Sequence, residues 1–421
     1  MMKSPIPDSE GRLMFRIVRF PRQLTRFFAP LEGCFHWDHF EYFRQLVLAI
    51  AFAWGRRNVS NLYRYLEAST HRTRFNNFVL VGRWEAAQCL QLKATEMLAW
   101  LKPRRGETLY FIVDDSNKHK RGKHMDAVDW TYDHSTNRKV RAHLYVTAVV
   151  GFRGYTIPWG VHLYAKKHHC KALGIPFRRT TELAAELIES FTPPEGVKVM
   201  VLFDSYYLCK TVVRACRRKG FHFASTLKAN RNLFRGGRKL KAGRYGRNLY
   251  RRRPKKHLKL RKGNRQATYL FVDAGWLLVG DLGSLHVVFS RKQGDNKLLG
   301  IVTDAPDLTA GQIVEAYTHR WGIEVFFKDV KQHLGFGQYQ NGSYRAAVTH
   351  LHLVCFAYAL LTHLRIEGAQ GKRKRPRAAT MSTSEAQNEL RRLVWRDLVA
   401  HLEELPTGDA VIKELDRLLI A

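Results

Sequence analysis

The chain has 421 residues, of which 45% are hydrophobic and 12% aromatic, so it is long enough for two or three domains and can bury a large interior. A formal charge of +35 at pH 7 would destabilise a compact fold through self-repulsion unless a polyanion is a regular partner, and nucleic acid is the obvious candidate. The basic residues are spread along the chain rather than gathered on one amphipathic helix, which disfavours a membrane surface as the partner.

The sequence shows no features of export or membrane insertion. Its longest apolar run, Leu46 to Trp54, is far shorter than the about 20 residues of a spanning helix, and no apolar secretory segment precedes Phe35. The cysteines are scattered without a CxxC pair, as is typical of reduced thiols, and His168 to Cys170 has no second ligand pair at zinc spacing. We therefore expect a cytoplasmic, nucleoid-associated bacterial protein with no membrane partner.

Residues 1–102 are predicted to form a helical N-terminal domain that binds DNA. Apolar residues recur at helical spacing in four segments, Phe40 to Trp54, Val59 to Leu66, Ser69 to Val79 and Trp84 to Leu101. The second and third of these helices could form a helix-turn-helix reader, but a plain helical bundle with a polar surface fits equally well.

After a turn at Pro103 to Glu107, residues 103–229 change to an alternation of strands and helices. Strands are predicted at Tyr110 to Val113, Ala142 to Val150, Thr156 to Tyr164, Val197 to Phe203 and Phe221 to Leu227, with helices at Thr181 to Phe191 and Tyr206 to Lys219. This order is that of a ribonuclease H-like α/β fold, a mixed sheet with helices on its faces. The segment is predicted to be the first part of a catalytic domain.

Residues 230–305 are predicted to be a basic, β-rich insertion. Lys228 to Arg265 contains seventeen lysines or arginines and no acidic residue, so we expect it to be mobile without a partner. Strand patterns follow at Thr268 to Asp273, Trp276 to Gly280, Leu285 to Ser290 and Leu299 to Thr303. The densest basic run either binds DNA or is a solvated loop, and we favour DNA binding for Arg251, Arg252, Arg253, Lys255 and Lys256.

Residues 306–367 are predicted to complete the catalytic domain, and residues 368–421 to form a basic linker and C-terminal helices. A helix from Thr309 to Leu334 begins with a capping box and ends near Gly335, and a mostly buried helix covers Arg345 to Leu364. Ser382 caps a final helix with apolar positions at Leu390, Leu393, Val394, Leu398 and Leu402. These positions indicate either packing on the same chain or dimerisation, and we favour dimerisation.

Four residues of the Thr309 to Leu334 helix are spaced to share one face. Tyr317, Arg320, Glu324 and Lys331 fall within a narrow arc at about 100° per residue. A carboxylate flanked by a guanidinium, an ammonium and a phenol can hold a divalent metal and bind phosphate oxygens. The alternative is a solvated stripe with one Glu324 to Lys331 ion pair.

Two aspartates each follow a predicted strand, and they extend this set of candidate metal ligands. Asp114 follows the first strand and Asp204 the central one, while Glu324 lies on the capped helix. Phosphodiester cleavage with two metal ions needs carboxylates that converge from separate segments. Each aspartate alone could instead be a turn or capping residue. Asp115 is a further candidate ligand.

These motifs together resemble DDE transposases of the insertion sequence 4 family, the family of the transposon five enzyme. The string from Tyr317 to Glu324, followed by Lys331, resembles the signature Y-(2)-R-(3)-E-(6)-K, and Val113 to Ser116 and Phe203 to Tyr207 resemble the first two acid motifs. The first acid is commonly followed by any residue and then Ser or Thr, which favours Asp114 over Asp115. The resemblance covers roughly residues 110–364.

The resemblance implies a function and roles for individual residues. Asp114, Asp204 and Glu324 would be catalytic and hold two Mg²⁺ ions, with Mn²⁺ able to substitute. Tyr317, Arg320 and Lys331 would bind phosphates, while Trp321, and more weakly Trp276, are candidates to stack on an unpaired base, although a core role fits Trp321 equally. A homodimer would bind terminal inverted repeats of double-stranded DNA, cleave them and transfer the strands. The alternatives are a catalytically silent DNA-binding derivative, and a ribonuclease H-like nuclease acting on RNA or DNA junctions.

Overall fold

The structure is a computed structural model that describes residues 14–122, 124–133, 136–262, 265–370 and 380–420. The helices are α1 (Thr25–Phe28), α2 (Trp37–Phe52), α3 (Val59–Arg64), α4 (Arg72–Val81), α5 (Ala86–Trp100), α6 (Lys167–Leu173), α7 (Thr180–Glu189), α8 (Lys210–Arg218), α9 (Ala242–Arg252), α10 (Ala310–Thr318), α11 (Trp321–His333), α12 (Tyr344–Gln370), α13 (Thr383–Glu403) and α14 (Gly408–Leu418). The strands are β1 (Thr108–His119), β2 (Asp129–Asp133), β3 (Arg138–Phe152), β4 (Tyr155–Tyr164), β5 (Lys198–Phe203), β6 (His222–Leu227), β7 (Asn232–Arg235), β8 (Arg238–Lys241), β9 (Lys256–Lys262), β10 (Arg265–Val279), β11 (Ser284–Lys292) and β12 (Leu299–Thr303).

The chain divides into two compact units. The helical unit comprises Met1–Leu101, Lys118–His143 and Phe327–Ala421, and the sheet unit comprises Lys102–Asn117 and Leu144–Phe326. The N-terminal helices therefore share a unit with the C-terminal helices. The five segments predicted from the sequence remain a prediction, and the part of the last linker at residues 371–379 lies outside the described residues, as do residues 1–13.

Helix α12 is the core of the helical unit, packed by α2, α4, α5 and α13. Within the described residues, its segment Tyr344–Ala369 is the one stretch long and apolar enough to cross a membrane, but 89% of its most apolar window is buried inside the protein. Burial of this kind is typical of a core helix, so the composition is weak evidence for a membrane span. The predicted buried helix at Arg345 to Leu364 is confirmed.

The apolar face of α13 packs within its own chain, which corrects our preference for dimerisation through it. Leu390, Val394 and Leu398 are buried, while the Gln387 amide donates to the Ala51 carbonyl at 2.7 Å and the Arg391 guanidinium to the Phe52 carbonyl at 3.2 Å. Three of the five positions predicted to bind a second copy are therefore buried within their own chain, where α13 packs against α12 and α2. The capping box at Ser382 is confirmed.

A buried polar cluster joins the N-terminal helices to the end of α11 inside the helical unit. The Arg57 guanidinium donates to the carbonyl of His333, the last residue of α11, at 2.7 Å, and its backbone N–H donates to Gln338 at 3.0 Å. The His350 Nε2–H donates to the Arg57 carbonyl at 2.7 Å, and because burial disfavours the charged ring, His350 is neutral near pH 7 with its proton on Nε2. Gly335, at φ +68°, terminates the helix in the left-handed region as predicted.

This cluster predicts acid sensitivity. Burial lowers the pKa of His350 to about 4, against about 6.5 in an unfolded chain, so the unfolded state binds the extra proton first and stability falls as pH drops through this window. Between pH 7.5 and 5 the loss should be about 2 kcal/mol. Urea unfolding should show a smaller loss in His350→Gln, which keeps a donor, than in the wild type. His124→Gln, an exposed control, should leave the pH dependence unchanged.

The sheet has the strand order β2-β3-β1-β5-β6-β12-β11-β10-β7-β8, with β4 paired to β3 and β9 to β10. Strands β1, β5 and β6 are parallel, and β5 is almost wholly buried, as its apolar run predicted. The pairs β10–β11, β11–β12, β12–β6 and β3–β4 are antiparallel. The result is a mixed α/β architecture, and most predicted strands and helices of residues 103–229 are found within a few residues of their expected positions.

Four predictions about local structure were wrong. Strand β1 continues through Asp114 to His119 instead of ending at the acids. The helix predicted from Thr309 to Leu334 is two helices, because the chain tightens at His319 and Arg320 into i→i+3 hydrogen bonds. The described residues 228–262, expected to be mobile, form strands and helix α9, which was not predicted. Helix α8 starts at Lys210, because Asp204 holds the preceding residues in a turn.

Candidate functional site

Two of the three predicted acids lie at one edge of the sheet unit. Asp114 lies within β1, two residues beyond the point where the parallel register with β5 ends at Ile112 and Leu202, and Asp204 directly follows β5. Because β1 and β5 are parallel neighbours and β5 ends at Phe203 beside this point of β1, both carboxylates lie at the same part of the sheet. Asp114 and Asp204 are close enough for the negative charge of one to act on the other.

The loop after β5 fixes Asp204. Its Oδ1 accepts the backbone N–H of Tyr206 at 2.8 Å and of Tyr207 at 3.4 Å, and its carbonyl accepts the Ser225 hydroxyl at 3.0 Å. The buried Tyr207 hydroxyl donates to Asp115 Oδ1 at 3.0 Å. Burial, and then the Asp115 carboxylate, raise the pKa of Tyr207 well above its usual value, so it stays a donor that orients Asp115.

Arg320 connects the first and third acids. Its Nη1 donates to Asp114 Oδ2 at 2.9 Å, and its Nη2 donates to Glu324 Oε1 one helical turn further along. Arg320 and Asp114 have side chains only 18% and 19% exposed, and that of Glu324 is 32% exposed. A partly buried cation therefore lies between two carboxylates that come from chain segments more than two hundred residues apart.

The pKa of Asp114 reflects this surrounding. Burial raises the pKa of Asp114 to about 7; Arg320 lowers it, and the carboxylates of Asp115 and Asp204 raise it further. The bridging guanidinium favours the ionised form, yet the clustered carboxylates oppose it. The site thus has more negative charge than one guanidinium compensates, and additional positive charge would be stabilising there.

Tyr317 is half-buried at the end of α10 rather than placed on a continuous helical face. Its hydroxyl donates to Thr226 Oγ1 at 3.4 Å, and its ring packs against the core formed by Phe271, Val288, Ile301, Ala310, Ile313 and Val314. The Arg320 guanidinium carbon lies 5.9 Å from the ring centroid. Burial raises the pKa of Tyr317, so it remains protonated. The ring therefore supports Arg320 from behind.

Lys331 belongs to the helical unit, as does Lys118. Burial, and then repulsion from Lys118, lower the pKa of Lys331, and its ammonium lies 5.8 Å from the Phe327 ring centroid. Two lysines near each other favour binding of an anion. The predicted role of Lys331 in phosphate binding remains a prediction.

The two tryptophans proposed to stack on bases are both accessible. Trp321, the first residue of α11, is 58% exposed, so the alternative of a core tryptophan is wrong, and Trp276 on β10 is 46% exposed beside the His286 ring. Exposed indole faces can stack on nucleobases. Their roles on DNA remain predictions.

A family model described as DDE superfamily endonuclease matches residues 30–270, more than half of the chain. The chain belongs to the DDE superfamily endonucleases. The match includes Asp114 and Asp204 and ends before Glu324. No curated protein matches the chain. The family acts on DNA with divalent metal ions, so the resemblance to DDE transposases is supported at this level.

The acids of this DDE endonuclease suit a hard divalent cation. Asp114, Asp204, Glu324 and Asp115 offer only carboxylate oxygens, which Mg²⁺ and Mn²⁺ prefer. The raised pKa of Asp114 and the guanidinium between Asp114 and Glu324 both indicate that these side chains attract positive charge. The residues present therefore fit a metal site.

The basic insertion of the endonuclease contains an arginine cavity that the sequence analysis missed in part. Arg251 at the end of α9 lines a cavity of about 450 Å³ together with Arg247, Arg291 and Tyr250. The Tyr250 hydroxyl is buried without a hydrogen-bond partner among the described residues. The other predicted cations are exposed outside the cavity, at Arg252, Arg253, Lys255 and Lys256. The four-residue spacing of Arg247 and Arg251 was the available signal.

Helix α9 is held against the sheet by a close approach at Gly246. A Cβ at this position would lie 2.3 Å from the Phe289 ring, so only glycine allows the helix to pack there. The close packing positions Arg247 and Arg251 over the cavity.

Proposed function

We propose that this DDE endonuclease is an insertion-sequence transposase of the insertion sequence 4 family, which binds terminal inverted repeats as a homodimer and performs strand cleavage and strand transfer. The observation that carries the proposal is the Asp114–Arg320–Glu324 bridge beside Asp204. The bridge joins acids of two separate segments, and the carboxylate of Asp204, from a third segment, is near enough to act on Asp114. The catalytic domain would be ribonuclease H-like, and the protein nucleoid-associated in the cytoplasm.

The proposed roles follow from position and charge. Asp114, Asp204 and Glu324, with help from Asp115, would hold two Mg²⁺ ions, which would activate the attacking oxygen and stabilise the leaving one. Tyr207 orients Asp115, and the turn after β5 holds the Asp204 carboxylate in place. Arg320, once turned from the carboxylates, would bind a phosphate beside the cut with the Tyr317 ring behind it, and Lys331 would bind a phosphate of its own.

The deciding experiment is metal-dependent cleavage of the element's own ends. Purified protein should cut duplex DNA that contains the element's ends in Mg²⁺ or Mn²⁺ but not in EDTA. The carboxylates alone cannot activate the attacking oxygen or stabilise the leaving oxygen, which the metal ions would do. Gel analysis of end-labelled DNA measures the cut strand. Unchanged cleavage in EDTA would contradict the proposal. Duplex binding without cleavage in any metal would indicate a silent derivative, and preference for RNA hybrids or junctions a different nuclease.

The arginine cavity predicts a local contribution to DNA binding. Replacing Arg247 and Arg251 together with Gln should weaken duplex binding by about tenfold or more, because guanidiniums converging on one cavity can share a phosphate. Arg244→Gln with Arg252→Gln is the matched control, with the same helix, charge change and exposure but outside the cavity. Fluorescence anisotropy compares the two. Equal losses would mean that net charge alone matters.

A further inference from the structure

The hairpin of β2 and β3 presents aromatic and basic side chains on one exposed face. Trp130 and Tyr132 of β2 are 58% and 45% exposed, and large exposed aromatic side chains are unusual on a folded surface. In the antiparallel register Trp130 lies opposite Arg141 and Tyr132 opposite Lys139. Directly opposite residues share a face, so the two rings of β2 lie beside the two cations of β3 there.

The opposite face of the hairpin carries the acidic residues of β2. Asp129 and Asp133 alternate with the aromatic residues and therefore lie on the opposite face, where Asp133 is buried and accepts from His119 at 2.7 Å. The aromatic face thus has positive charge contributed by Lys139 and Arg141 and no carboxylate from the paired residues of β2. Strand β2 is also the terminal strand of the sheet order, so within the described residues no further strand pairs with its outer edge.

We propose that this face, formed by Trp130, Tyr132, Lys139 and Arg141, is a platform for single-stranded DNA. Aromatic rings bind unpaired bases through their flat faces, and neighbouring lysine and arginine side chains neutralise the phosphates between them. Positions two residues apart on a strand are separated by about 7 Å, which suits successive bases of an extended strand better than one base. In duplex DNA the base faces are already stacked, so the rings select the unpaired form.

The proposal deepens the proposed function, on which it rests for the presence of DNA. A nuclease that cuts strands of a duplex produces ends that can fray, and a stacking surface would hold such a strand apart from its complement. The platform needs neither Asp114 nor a metal ion. Its test can therefore be made in EDTA, where cleavage plays no part, and a negative result would leave the transposase assignment standing.

The test compares fluorescein-labelled oligothymidylate of about 12 nucleotides with a duplex of the same length, by anisotropy of the full chain in EDTA. Trp130→Ala with Tyr132→Ala should weaken oligothymidylate binding by about tenfold or more and change duplex binding by less than about twofold. Trp130→Phe with Tyr132→Phe should retain most of the single-strand affinity. Trp395→Ala, which removes a 48% exposed tryptophan of α13, is the matched control and should have no effect.

A second pair of changes covers the case in which the alanine variant fails to fold. Lys139→Gln with Arg141→Gln keeps both rings and should weaken oligothymidylate binding while flattening its salt dependence, because fewer phosphates are neutralised. Thermal unfolding of each variant checks the fold. The platform is overturned if single-strand affinity is unchanged in both the aromatic and the basic variants, if duplex affinity falls as much as single-strand affinity, or if Trp395→Ala has an equal effect.

Discussion

Replacing Glu324 with Gln should reduce DNA cleavage by about a thousandfold or more while duplex binding remains. The amide keeps the shape of the side chain and an oxygen that can accept from Arg320, but it loses the negative charge that holds a divalent cation. Loss of a metal ligand at the reacting centre costs several kcal/mol of transition-state stabilisation, which corresponds to about a thousandfold in rate. Single-turnover cleavage of labelled ends in Mg²⁺ measures the effect.

The same change at Asp204 offers an independent check. In Asp204→Asn the Oδ1 atom can still accept the Tyr206 N–H, so the turn is retained and only the charge is removed. Cleavage should fall by a similar factor. Glu315→Gln, an exposed carboxylate on α10, is the control and should cleave at the wild-type rate. Cleavage within about tenfold of wild type in either active-site variant would contradict the assignment of these acids as metal ligands.

Replacing Arg320 with Gln should destabilise the metal-free protein and increase its stabilisation by Mn²⁺. Without the guanidinium, Asp114 and Glu324 have no bridging cation, and breaking a partly buried pair of this kind should cost about 2 kcal/mol once its exposure is considered. A divalent cation then supplies the missing charge without displacing Arg320. Denaturant unfolding in EDTA and in Mn²⁺ gives both quantities.

The Arg153–Glu107 pair provides the matched control for this prediction. Its guanidinium donates to both carboxylate oxygens at 2.9 and 2.8 Å, and its side chains are 21% and 34% exposed, similar to the Arg320 pairs. Arg153→Gln should lose comparable stability in EDTA and leave the response to Mn²⁺ unchanged. If Arg320→Gln shows a weaker response to Mn²⁺ than the wild type, then Arg320 organises the carboxylates for the metal instead of competing with it.

The strand before Asp204 and the start of the helix at Thr309 could be predicted from the sequence because their signals are local. A buried apolar run followed by an aspartate marks a strand edge, and the capping box at Thr309 and Gln312 marks a helix start, which the structure bears out. The four-residue face required an unbroken helix, and tertiary packing of Tyr317 against the core instead tightens the chain at His319. Periodicity alone could not reveal that turn.

Other features depend on contacts between distant segments, and such contacts cannot be predicted from the pattern of a single sequence. Basic composition indicated a mobile segment at Lys228 to Arg265, but the pairing of β7 and β9 with β10 and the Gly246 contact with Phe289 organise its described part. The spacing of apolar residues on α13 likewise fitted either dimerisation or packing on the same chain, and only the structure shows that α12 and α2 cover this face. Helix-packing partners, unlike helices, could not be read from spacing.

Strand β12 decides how the basic insertion can be exchanged between related proteins. It is hydrogen-bonded to β6 on one side, from Ala224 to Leu227, and to β11 on the other. Replacing residues 230–305 as one segment would remove β12, the hydrogen-bonded neighbour of β6. The unpaired edge of β6 would then be exposed and would promote aggregation. Chimeric proteins should therefore keep Leu299–Thr303 with the host sheet and place the junction before that strand.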